Sequence, residues 1–266
     1  MITCLGISAR AIGNALFNYA ILLEVAKKTG LEPIYPIGED HIDPSNSQNI
    51  QQLCNAFHIP IKKAPISELE TEILFDYKRD LDNNFHPSIF KIQDGTNIFG
   101  YFQNMAYYED FESLKPSFLK EIEQEASSIF KKLNLSRENC VGLHVRRGDY
   151  VNIDAHPVIE KDYYEKAMEE FKGYEFLVMS DDLEWVKNNF NYENIHPIPY
   201  NKNAFVHLCA FSMCSHQIIA NSTFSWWGAT LNNNIEKRVI APYTWMNDSS
   251  GNLLEMNICP KNWKRL

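Results

Sequence analysis

From Cys140 onward the sequence alternates in a way that few folds accommodate. Short apolar runs at 140–145, 175–180, 195–198, 216–220 and 238–241 are separated by helical stretches near 161–171, 183–190, 204–214 and from about 223. Repeated βα units of this kind predict a parallel, doubly wound sheet, because a parallel strand can be reached only by a long crossover. Ahead of this region Ile2–Ile7 reads as a strand, Ser8–Asn14 as a loop, and Ala15–Lys28 as a helix with Leu16, Tyr19, Leu22, Leu23 and Ala26 at helical spacing. Gly30 is placed to stop that helix. Leu31–Tyr35 reads as a strand, Asn49–Phe57 as a helix and Thr96–Gln103 as a strand, while Pro60–Asn84 carries no clear period. Pro116–Leu135 is an amphipathic helix with Phe118, Ile122, Ala126, Ile129 and Leu133 on one face. The polar stretch that follows sets the domain boundary, giving an N-terminal α/β lobe over 1–137 and a C-terminal Rossmann-like lobe over 138–266. A chain of 266 residues is large for one core and suits two α/β lobes that share a cleft.

Two strand ends carry the chemistry. The apolar run Cys140–Val145 stops in Arg146, Arg147, Gly148, Asp149 and Tyr150. Adjacent arginines against a buried strand are costly unless an anion meets them, so this is read as a phosphate site. In parallel sheets ligands collect beyond the carboxyl ends of strands, which puts His144, Arg146, Arg147 and Asp149 at the cleft mouth. Side chains alternate along a strand, so His144 and Arg146 share a face and Arg147 takes the other. One arginine is then free for ligand while its neighbour braces the loop. The second strand end, Ile218–Ala220, runs through Asn221, Ser222, Thr223, Phe224 and Ser225 straight into a helix. Backbone amides and hydroxyls at such a helix start suit phosphate, and simple capping is the competing reading. Two such ends in one lobe favour a nucleotide diphosphate.

The remaining signals are weaker. Gly13 and Asn14 sit in the first β-to-α loop and are candidates to line the cleft from the other lobe. Asp181 and Asp182 read foremost as a helix cap, with a cleft role as the alternative. Asp80-Leu81-Asp82 has the form of a metal-binding D-x-D, but no apolar strand precedes it and a solvated loop is favoured. No other His, Cys, Asp or Glu spacing indicates a metal, and none is expected. A net charge of −9 argues against a nucleic-acid partner, which would require a basic field. The six cysteines lie far apart and read as core thiols of a reducing compartment. No apolar run reaches the roughly 18–20 residues of a membrane span. The expected location is cytoplasmic, with peripheral membrane association left open and no oligomeric state implied.

His144-Val-Arg-Arg-Gly-Asp-Tyr150 together with Asn221-Ser-Thr-Phe-Ser-Trp-Trp227 resembles the α-1,2-fucosyltransferases of glycosyltransferase family 11. Gly100–Gln103, Lys161–Tyr164, Ser180–Trp185 and Ala241–Trp245 add to the likeness in the family's order. The resemblance implies a GT-B-like fold of two Rossmann-type lobes and a GDP-L-fucose donor. It also implies metal-independent transfer with inversion, and a glycan acceptor reached through a galactoside 2-hydroxyl. Carried over, Arg146 holds the β-phosphate and stabilises the departing GDP, and His144 helps to seat the nucleotide. Ser222, Thr223, Phe224 and Ser225 line the diphosphate and ribose. Asp149, and Asp154 in the same loop, are the candidate general bases.

Two positions depart from the family's pattern. Arg10-Ala11-Ile12-Gly13-Asn14-Ala15 replaces a Gly-Gly-Leu-Gly-Asn-Gln loop, and His207 stands before Leu208 where an acidic residue is usual. His207 leaves open transfer of another nucleotide-activated deoxysugar, the altered loop leaves open a non-catalytic nucleotide- or glycan-binding module, and Asp80-Leu81-Asp82 leaves a D-x-D metal-dependent transferase as a third rival.

Overall fold

The computed structural model describes residues 1–5, 11–37, 53–78, 84–199, 203–248, 250–254 and 256–266. The chain divides into two compact units, Met1–Leu119 and Lys120–Leu266.

In the first unit β1 (Ile2–Thr3) leads to α1 (Ile12–Thr29), then β2 (Ile34–Ile37), β3 (Phe57–His58), β4 (Lys62–Pro65), α2 (Ile66–Glu72), β5 (Phe75–Lys78), β6 (Thr96–Phe99) and β7 (Ser117–Phe118). The strands β1, β6 and β5 form one parallel set and β2 and β4 another. A parallel bridge from Ile2 to Pro33 joins the two sets. α1 is buried almost all round. Gly30 ends it at φ 74°, donating its N–H to the Ala26 carbonyl, a left-handed conformation that glycine adopts without a Cβ clash.

Three expectations change here. α1 begins at Ile12, so Gly13 and Asn14 form its first turn rather than a loop. The unassigned region 60–84 holds β4, α2 and β5, and β5 is largely exposed, so no alternation marked it. The helix expected from Pro116 starts at Lys120, because Ser117–Phe118 pairs antiparallel with Phe57–His58 and the Leu119 N–H bonds to the Ala56 carbonyl. Of the helix expected over Asn49–Phe57, residues 53–56 are helical and 49–52 lie outside the described residues. Asp80 and Asp82 also lie outside them.

The second unit runs α3 (Lys120–Leu133), β8 (Cys140–Val145), α4 (Lys161–Glu169), β9 (Glu175–Ser180), α5 (Leu183–Asn189), β10 (Ile195–Pro197), α6 (Ala204–Ser212), β11 (His216–Ile218), α7 (Thr223–Leu231), β12 (Val239–Ala241), the hairpin β13 (Met246–Asn247) and β14 (Leu253–Leu254), and β15 (Lys264–Arg265). α3, which the sequence reading put in the first lobe, packs on α6 and belongs to this unit. The six-stranded sheet is parallel throughout in the order β10-β9-β8-β11-β12-β15. Counted along the unit this is 3-2-1-4-5-6, the doubly wound order in which direction reverses between β8 and β11.

Alternation along β8 sets its two faces. Val141, Leu143 and Val145 join Tyr163, Tyr164 and Ala167 of α4 and Val186 of α5 in one core. Gly142 and His144 turn the other way, towards Phe211 of α6. A Cβ on Gly142 would lie 2.8 Å from the Phe211 ring, and one on Gly228 of α7 only 2.5 Å from it. The two glycines thus let α6 approach both the sheet and α7.

Candidate active site

The carboxyl ends of β8 and β11 flank the point where strand order reverses, the place where open α/β sheets bind ligands. β8 delivers His144 and, one residue past its end, Arg146 on the same face. The Arg146 side chain is 30% exposed, paired with Asp149 and with Asp181 Oδ2 at 2.8 Å. Its guanidinium lies 4.8 Å from the centre of the Tyr150 ring. Its Nε is buried and bonded to no described group. Two carboxylates and an aromatic face therefore fix a cation at the strand end, with hydrogen-bonding capacity left over.

Arg147 leaves on the opposite face, as alternation requires. Its guanidinium stacks 4.4 Å from the Trp185 ring of α5 and lies 3.5 Å from Asp182. Its backbone N–H donates to Asp181 Oδ1 at 2.9 Å. Asp182 also caps α5 through the Trp185 N–H. The expected cap is thus present, and Asp181, which the sequence reading subordinated to it, reaches the arginines of β8. Gly148 makes this approach possible, since a Cβ there would lie 2.4 Å from Asp181 Oδ2.

His144 is 6% exposed, and burial, aided by the Arg146 charge, pulls its pKa down to about 3. The ring is therefore neutral at physiological pH. It lies 5.3 Å from the Phe224 ring at the start of α7, and its Nδ1 is buried without a described partner. The Tyr150 hydroxyl donates to the Asn221 carbonyl at 3.3 Å. These two contacts bring the end of β8 and the start of α7 into one site.

At that start the Ser222 hydroxyl caps none of the first amides of α7. The Ser225 hydroxyl is turned inward to the Ala220 and Ser222 carbonyls. The Asn221 amide clamps two loops, donating to Pro157 O at 2.9 Å and Trp245 O at 3.1 Å. Of the candidate phosphate residues, Asn221 and Ser225 therefore spend their donors on the scaffold, while Ser222, Thr223 and Phe224 flank the helix entry.

Asp149 is exposed and bound to Arg146. Asp154 is exposed, and its backbone carbonyl accepts from Asn247 Nδ2 at 2.9 Å. In the first unit Asn14 Oδ1 accepts from Gln103 Nε2 at 2.9 Å. His207 is half-buried on α6, and burial lowers its pKa against a raising contact with the Pro199 carbonyl. Sequence reasoning missed His156, whose ring stacks on Tyr150 at 4.4 Å and 9°. Its only signal was its place in the loop after the arginines. Among the described residues no group of three or more His, Cys, Asp and Glu could hold a metal, and no helix is long and apolar enough to cross a membrane.

This is a GT-B-like α/β fold with a Rossmann-type sheet behind its site. It is shared with the Bradyrhizobium fucosyltransferase NodZ soaked with GDP-fucose, at a TM-score of 0.55 and 14% identity over 94% of this chain and 96% of that one. The family model for glycosyl transferase family 11 matches residues 61–266, and the chain belongs to that family.

Three relatives illustrate the match. An O-antigen biosynthesis glycosyltransferase of Escherichia coli is 33% identical over 63% of this chain and 61% of its own length. An α-1,2-colitosyltransferase of the same organism is 32% identical over 66% and 64%. Galactoside α-(1,2)-fucosyltransferase 2 of Mus musculus is 25% identical over 83% and 65%. The chain thus spans less than two thirds of the length of these curated relatives.

Proposed function

We propose that this chain transfers L-fucose from GDP-L-fucose to a glycan hydroxyl, the 2-hydroxyl of a galactoside, by a single inverting displacement without a metal ion. The observation that carries the reading is Arg146, held at the strand-order reversal beside the start of α7. Breaking the bond between fucose C1 and the β-phosphate oxygen leaves negative charge on GDP. A fixed guanidinium and helix-start amides stabilise that charge better in the transition state than in the ground state. His144, neutral and packed against the tilted Phe224 ring, seats the nucleotide, and Arg147 braces the loop that presents Arg146. Asp149 and Asp181 orient the guanidinium. The first unit, with Asn14 at the head of α1, is assigned the acceptor side.

The fucosyl- and galactoside-specific relatives support the sugar and the linkage. The experiment is GDP release from GDP-fucose with lactose and other β-galactosides, run with and without EDTA. The reading requires acceptor-dependent release that EDTA leaves unchanged, and absence of release, or full inhibition by EDTA, rejects it. A second reading keeps the site and changes the sugar, and the colitosyl relative favours it. Direct competition between GDP-fucose and GDP-colitose separates the two.

A further inference from the structure

His156 packs against the arginine platform through Tyr150, and the transfer reading leaves it without a task. Its imidazole lies flat on Tyr150, and the same phenol ring carries the Arg146 guanidinium. The loop that holds it is pinned on several sides. The His156 N–H bonds to Ile153 O at 2.9 Å, and Ala155 O accepts from the Asn247 N–H of β13 at 3.0 Å. Pro157 O accepts from Asn221 at 2.9 Å. A stacked ring on an anchored loop is a preorganised group rather than a mobile one.

Each of the two carboxylates in this loop is poorly suited to serve as the base. Asp149 faces the guanidinium, which competes for its lone pairs. Asp154 is anchored through its backbone carbonyl, and its carboxylate projects from an exposed turn. In His156, by contrast, Nδ1 is the buried nitrogen without a described partner, which leaves Nε2 as the atom a ligand can reach.

Resting on the fucosyl-transfer reading, we propose that His156 is the general base of the reaction. Its Nε2 takes the proton of the acceptor hydroxyl as that oxygen bonds to fucose C1 and the bond from C1 to the GDP oxygen breaks. The proton ends on the imidazole, the electron pair of the broken bond on GDP.

The electrostatics agree. Burial lowers the His156 pKa, Asp149 opposes that shift and Arg146 adds to it, so the ring is uncharged at neutral pH and able to accept. These are the charged groups that act on the ring, and Tyr150 is the titratable group packed against it. When a diphosphate occupies Arg146, the cation that disfavours imidazolium is offset, so donor binding readies the base. Asp149 then faces the charge that forms.

The test uses His156→Phe, which keeps a flat ring on Tyr150 and removes the nitrogen, with His156→Gln as a second variant. Transfer kcat with GDP-fucose and lactose should fall by about 100-fold or more in both, general-base catalysis being worth roughly 10²–10⁴. The dissociation constant for GDP should stay within about twofold, which also reports that the variants are folded. The wild-type kcat should show an acidic limb that the variants lack, and added imidazole should restore part of the activity of His156→Ala. A Phe variant that transfers at the wild-type rate, or keeps the acidic limb, overturns the base assignment and leaves the transfer reading intact. A wild-type protein that leaves donor and galactosides unchanged overturns both.

Discussion

On the proposed reading Arg146 carries the electrostatic demand of the site, while Arg147, packed on Trp185, braces the loop that presents it. The two side chains leave adjacent positions on opposite faces, Arg146 towards Asp149 and Asp181 and Arg147 towards Trp185 and Asp182. Arg146→Ala should lower turnover by at least about 100-fold in a GDP-release assay, the loss seen when one preorganised transition-state donor is removed. Arg147→Ala should instead act on stability. Losing the contact with Trp185 and the ion pair with Asp182 should cost about 1–2 kcal/mol in urea unfolding, with GDP affinity within about threefold.

His144 adds a pH signature. Its folded pKa of about 3 lies below the value near 6.5 of an unfolded chain, so between those values the unfolded state binds the extra proton. Stability should therefore fall by about 1.4 kcal/mol per pH unit as pH drops through that window. His144→Phe should flatten this part of a plot of urea-unfolding free energy against pH. At this scale the sequence disclosed His144 and Arg146, because a two-residue period fixes which side chains share a face. It hid the contacts of Asp181 and His156. Asp181 reaches Arg146 from the next strand, across 35 positions of chain, and no local pattern records such a contact.

Phe211 shows how the elements constrain one another, since its ring fills the space left by Gly142 on β8 and Gly228 on α7. Gly228→Ala raises helix propensity by about 1 kcal/mol, yet its methyl would meet the ring at 2.5 Å. Overpacking of this kind costs about 1–3 kcal/mol, so the clash outweighs the propensity. The variant should melt lower by calorimetry, and Phe211→Leu in the same chain should return part of the loss.

Elements were legible where burial imposes a period. β8, β9, α4 and α5 fall within about two residues of their expected spans, because buried parallel strands and one-faced helices leave strong marks. The sequence was silent over β5, whose side chains are largely exposed, and it misplaced β7 into the helix expected from Pro116, because the partner strand Phe57–His58 that makes it a strand lies far away in sequence. The same pairing displaced the domain boundary, since α3 starts where β7 ends.

Across the whole molecule, the proposed function asks a chain of net charge −9 to bind a dianionic nucleotide sugar. The general field repels that ligand, so affinity must come from groups fixed at short range, where screening is weakest. On that reading the doubly wound order of the second unit supplies the location, and Arg146 with the start of α7 supplies the charge. The segments that resemble the family are largely those that hold this place. Lys161–Tyr164 contains Tyr163, whose hydroxyl ties the carbonyls of Ile219 and Ile240, and Ala241–Trp245 ends on the carbonyl that Asn221 grips. Calorimetric titration of GDP into the wild type and Arg146→Ala tests this most directly. The account predicts saturable one-site binding that weakens by about 10- to 100-fold in the variant, the worth of a hydrogen-bonded charge at a phosphate. Equal affinities for the two proteins would contradict it.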